Sequence, residues 1–96
     1  MSREICPETI RWLEERVKKA VITPESRISC TWDSGGIWVD LDESFYDDGS
    51  VAVYTCLFAE PADETTSTEE VWEDAMAIAQ YMSEKLNIPI HIEKQT

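Results

Sequence analysis

The chain has 96 residues, is 43% hydrophobic with four Trp, and carries 20 carboxylates against eight Lys and Arg, a net charge of −12. This length builds one domain, residues 1–96, without a second core, and the apolar content excludes a disordered polymer. The charge disfavours direct binding to nucleic acid or an anionic membrane, because phosphates would meet carboxylates.

The opening residues, Met1 to Pro7, lack the apolar stretch of a signal peptide. No run approaches the roughly 20 apolar residues of a membrane span, so a cytoplasmic protein is expected. A first helix is predicted from Pro7 to Val21. Pro7 suits the first turn, where its missing N–H is no loss. Ile10, Leu13, Val17 and Val21 lay one apolar stripe along it, and Trp12 lies off that stripe. Thr23-Pro24-Glu25 ends the helix.

A strand follows from Ser26 to Asp33, with Ile28, Cys30 and Trp32 facing one way and Arg27, Ser29, Thr31 and Asp33 the other. Ser34-Gly35-Gly36 supplies a hairpin turn. The second strand, Ile37 to Asp42, turns Ile37, Val39 and Leu41 inward and Trp38, Asp40 and Asp42 outward. Glu43 to Gly49 is expected to be a longer connection. The third strand, Ser50 to Ala59, is apolar on both faces, the pattern of a central or covered strand.

Glu60 to Thr68 is a polar loop. Ser67 and Glu70 match a capping box, opening a second helix whose apolar face is Val71, Trp72, Ala75, Ile78, Ala79, Met82 and Leu86. Asn87 is the expected C-cap, and Pro89 prevents continuation. Ile88, Ile90 and Ile92 alternate with polar residues in a short last strand. The expected fold is α+β in the order α-β-β-β-α-β: an antiparallel three-stranded meander, a short C-terminal strand, and two helices on one sheet face.

Charge is segregated along this plan. From Ile28 to Glu84 stand 14 carboxylates and no Lys or Arg, a distribution that shapes a field for a cationic partner. An EF-hand frame starting at Asp40 places Phe45 at position 6 and Val51 at position 12, where Gly and Glu are required. The three Cys and single His have neither zinc-ligand spacing nor a catalytic pattern. No cofactor and no enzymatic activity are expected, and the odd set of cysteines fits reduced thiols. Cys30 and Cys56 read as small core hydrophobes.

The partner-binding residues expected from this pattern form two groups. The first interleaves acids with aromatics: Trp38, Asp40, Asp42, Glu43, Phe45, Tyr46, Asp47 and Asp48. Aromatics ringed by acids suit an interface in which rings anchor and charges steer. The second is the acidic block Asp63, Glu64, Glu69, Glu70, Glu73 and Asp74. Capping of the second helix explains part of its charge, while Lys partners at i+4 are missing. The partner is expected to be a basic protein surface, such as a nucleic-acid-binding effector complex or nuclease, engaged by a monomer or homodimer.

In length, net charge and the acidic stretch from Asp33 to Glu84, the chain resembles small phage-encoded anti-defence proteins of the anti-CRISPR and anti-restriction DNA-mimic kinds. The resemblance implies an inhibitor that occupies a nucleic-acid-binding surface inside a bacterial host cell. An immunity or antitoxin protein masking a basic toxin, and a structural or assembly subunit, are the rival readings.

Overall fold

A computed structural model describes residues 4–61 and 69–94. The chain runs α1 (Pro7–Arg16), β1 (Arg27–Asp33), β2 (Gly36–Phe45), β3 (Val51–Pro61), α2 (Glu69–Leu86) and β4 (Ile90–Lys94). The strands form one sheet in the spatial order β3-β2-β1-β4. β1 pairs antiparallel with β2, and β2 with β3, as expected for a meander, while β4 lies parallel to β1. A parallel neighbour needs a long crossover. The path through α2 supplies it, carrying the chain from one sheet edge to the other.

Both helices cover one face. Ile28, Cys30, Ile37, Val39, Leu41 and Leu57 of the sheet are buried against Leu13 of α1 and Trp72, Ala75, Ala79 and Met82 of α2. Burial pushes the Cys30 thiol up to about 12. Trp32 and Trp72 meet at 5.7 Å between ring centroids, and the Lys94 ammonium sits 5.0 and 5.8 Å from the two rings. α2 ends as its sequence predicts: Asn87 takes the left-handed conformation at φ 56°, and the Ile88 N–H returns to the Ser83 carbonyl at 3.1 Å. Ser67, the expected cap at its start, lies outside the described residues.

Three elements differ from the periodicity. α1 stops at Arg16 instead of Val21, and Val21 is 66% exposed. The Val21 N–H is captured by the Glu43 carboxylate at 2.8 Å, which draws the chain off the helix axis toward β2. β2 runs on to Phe45, so the connection to β3 shrinks to residues 46–50. β3, apolar on both faces, is an edge strand, with Val53 50% and Tyr54 63% exposed.

Candidate functional site

The sheet face opposite the helices is uncovered among the described residues, and strand register fixes its rows. Ser29 lies beside both Asp40 and His91, and Asp40 beside Cys56, so these four cross all four strands in one row. The next row holds Glu93, Thr31, Trp38 and Ala59. On the other side Arg27 and Tyr54 flank Asp42. Asp33, Asp40, Asp42 and Glu93 therefore share the face with one Arg and one His.

Asp42 is nearly enclosed, at 3% exposure. Its Oδ2 accepts from Arg27 Nε at 3.3 Å and from Ser29 Oγ at 2.9 Å. The Arg27 guanidinium also stacks on Phe45, 5.0 Å from the ring centroid. The only cation of β1–β3 is thus committed to an internal Asp42–Arg27–Phe45 cluster, and neither Asp42 nor Phe45 is the free contact residue expected from sequence.

Glu43 departs furthest from expectation. Register shifts in the β2–β3 ladder leave it without a partner in β3, between the Asp42–Tyr54 and Ser44–Val53 pairs. Such a bulge re-aims a side chain. Here the carboxylate, on a residue only 8% exposed, accepts from the Val21 N–H and from Thr55 Oγ1 at 3.2 Å. Its carbonyl accepts from Ser26 Oγ at 2.9 Å and Thr23 Oγ1 at 3.3 Å. Glu43 is a latch between the α1–β1 connection and the sheet, with its side chain turned inward.

Asp40 stays on the open face, half-buried. Burial, and then the Asp42 charge, push its carboxyl up from 3.8 to about 6, partly opposed by a hydrogen bond from the Cys56 thiol. Cys56 is accordingly a half-buried residue of this open-face row, not a core hydrophobe, and its thiol is itself raised by burial and by Asp40. Trp38 folds over the β1–β2 turn: a Cβ added at Gly35 would lie 2.9 Å from Trp38 Cη2. Asp33 fixes the same turn by accepting the Gly35 N–H at 2.8 Å.

At the β2–β3 tip, Tyr46 is 63% exposed beside exposed Asp47 and Asp48. The tip is ordered by its own bonds. Tyr46 N–H donates to the Ser50 carbonyl at 2.8 Å and Gly49 N–H to the Tyr46 carbonyl at 2.9 Å. Asp48 Oδ1 accepts the Ser50 N–H and hydroxyl at 2.9 and 2.6 Å, which holds its carboxyl below the usual range.

The second acidic group is spatially separate. Asp63 and Glu64 lie outside the described residues. Glu69, Glu70, Glu73 and Asp74 open α2, and Glu69 accepts from Lys94 Nζ at 2.9 Å. The cation missing at i+4 is thus supplied from β4. Asp74 lines a cleft of about 350 Å³ with Ile5, Cys6, Thr9, Phe58 and Ile78. On α1, Trp12 is half-exposed under the Arg16 guanidinium, 5.4 Å from its ring centroid.

Chemically, the open face offers negative charge, one indole and short polar side chains. Ser29 donates to Asp42 while His91 Nε2 bonds Glu93 at 3.1 Å, so these neighbours form separate pairs. Among the described residues, no group of three or more His, Cys, Asp or Glu is placed to hold a metal ion, and no helix is long and apolar enough to cross a membrane. Compared with protein-family models, curated proteins and solved structures, the chain matches none of them.

Sequence reasoning missed Tyr54 and the Glu43 latch. The signal for Tyr54 was the two-faced apolarity of β3, which reads equally well as a central strand. Only the ladder order separates the two.

Proposed function

We propose that the protein is a non-enzymatic binding protein whose open sheet face engages a basic protein surface, of the kind that otherwise holds nucleic acid. The observation that carries this reading is the composition of that face. Asp33, Asp40 and Glu93 surround Trp38, and its one Arg is already bonded to Asp42. Tyr46 and Asp47 continue the surface at the hairpin tip. An uncovered acidic sheet with an indole beside the β1–β2 turn supplies both long-range steering and a ring to bury. Inhibition follows where the covered surface is one that nucleic acid would occupy, because the same Lys and Arg side chains would be taken.

Position, not net charge, is what must be tested. Asp47→Lys with Glu93→Lys alters the face, whereas Glu15→Lys with Glu84→Lys makes the same charge change on the helices. With an arginine-rich peptide as probe, the first pair is expected to slow association about tenfold more than the second at low salt, and the difference should shrink as salt rises. Basic proteins captured from a host lysate should follow the same order. Equal effects of the two pairs would reduce the face to a generic acidic surface and end this reading.

A further inference from the structure

At one corner of the core β1, β4 and α2 meet around a single ammonium group. Trp32 of β1 and Trp72 of α2 stand 5.7 Å apart between ring centroids and are tilted by 36°. Lys94 is the register partner of Trp32 across the parallel β1–β4 ladder. Its Nζ lies 5.0 Å from the Trp32 ring centroid, 5.8 Å from that of Trp72 and 2.9 Å from Glu69 Oε1. Glu69 and Trp72 are three residues apart on α2, so one helix face presents both. Among the described residues, the other stacked cations each meet a single ring: Arg16 on Trp12, Arg27 on Phe45 and Lys85 on Tyr81. Two indoles and a carboxylate around one ammonium are the chemistry by which proteins recognise that group, through ring faces and opposite charge together. Glu69 and Glu70 in the first turn of α2 also offset the positive helix end, which by itself would repel a cation.

We infer that this corner is a receptor for a lysine side chain of a partner protein, closed in the free chain by Lys94. The walls and the occupant are held differently. Trp72 is buried and Trp32 packs against the core, so both rings keep their places when the ammonium leaves. Lys94 ends β4, an edge strand, and its side chain is partly exposed while that of Glu69 is mostly so. An ion pair this open to water adds little, and the long lysine stem can swing into solvent without moving the strand. Charge selects the replacement. A chain of net charge −12 attracts cationic partners, and the corner already holds the group such a partner would bring, on the same three contacts. Lys94 is then a tethered competitor. A single free ligand faces its high effective concentration, whereas a partner docked elsewhere on the chain meets it on equal terms. The inference goes beyond the proposed engagement of the open face and is tested on the chain alone.

Lys94→Ala vacates the corner and should melt close to the parent. The probe is Nα-acetyl-lysine methylamide, and the readout is the four indole N–H resonances, followed by NMR at constant ionic strength. In the variant, Trp32 and Trp72 should shift saturably while Trp12 and Trp38 stay in place. The parent, with its tethered competitor, should bind roughly tenfold more weakly or less still. The norleucine analogue, which keeps the apolar stem without the ammonium, should produce no saturable shift. Adding Glu69→Gln should weaken binding severalfold. Equal responses of parent and variant, shifts confined to Trp12 and Trp38, norleucine binding as well as lysine, or indifference to Glu69→Gln would each overturn the inference. So would unfolding of Lys94→Ala, since Lys94 would then be a pin of the fold and not an exchangeable occupant.

Discussion

Replacing Glu43 with Ala tests the latch most directly. The carboxylate receives two hydrogen bonds, from the Val21 N–H and the Thr55 hydroxyl. Each bond to an ionised acceptor contributes about 1.5–3 kcal/mol. Val21 is exposed enough for water to recover part of its share, which brings the expected loss to about 2–4 kcal/mol. A 96-residue domain holds a total of about 5–14 kcal/mol, so one side chain on the rim of the sheet controls about a third of it. Urea unfolding at pH 7 should show the midpoint falling with an unchanged slope. Hydrogen exchange should show the Val21 amide losing protection ahead of the strands. Glu43→Gln, which keeps an oxygen for one donor, should lose about half as much. If Glu43→Ala stayed within about 0.5 kcal/mol of the parent, as surface substitutions do, the carboxylate would be an exposed group after all and the latch would be refuted.

Asp40→Asn should change how stability depends on pH. A folded-state carboxyl at about 6 against 3.8 holds its proton more tightly when folded, so this group costs nothing below about pH 4, and its penalty grows as pH rises to 6. The full shift corresponds to about 3 kcal/mol; partial solvent exposure screens it to about 1–2 kcal/mol. Stability of variant and parent, compared by denaturation at pH 4 and 7.5, should agree at the first and favour the variant at the second. Phe45→Ala and Arg27→Ala should be coupled by about 1 kcal/mol in a double-mutant cycle of unfolding, reflecting the stacked guanidinium; strict additivity would dissolve the cluster. At Asn87, with φ 56°, Gly should be tolerated, while Ala should cost about 1 kcal/mol in chemical denaturation.

Much of the fold was legible in local pattern. Pro7 and Asn87 mark one end of each helix because a missing N–H and a left-handed backbone act within a single turn. The alternation of Ile28 with Ser29 and of Val39 with Asp40 assigns both strand faces, because side chains invert at every residue. The candidate site was less legible. Trp38, Asp40, Tyr46, Asp47 and Asp48 stand at the surface the pattern suggests. Asp42, Glu43 and Phe45 carry the same outward signature in sequence, yet they are engaged inside the molecule. The difference arises from the bulge at Glu43 and from Arg27, which is 15 residues from Asp42 in the chain and beside it in the ladder.

The sequence by itself determined the elements, their apolar faces and the segregation of charge, since each depends on residues a few positions apart. Ladder order and register belong to tertiary structure, because they are settled by contacts between distant segments. Tertiary structure put β4 parallel to β1, left β3 uncovered at an edge, and turned Glu43 from an acid in a loop into a latch. It also decided which carboxylates reach the open face, as Asp40 and Glu93 do, and which are enclosed, as Asp42 and Glu43 are.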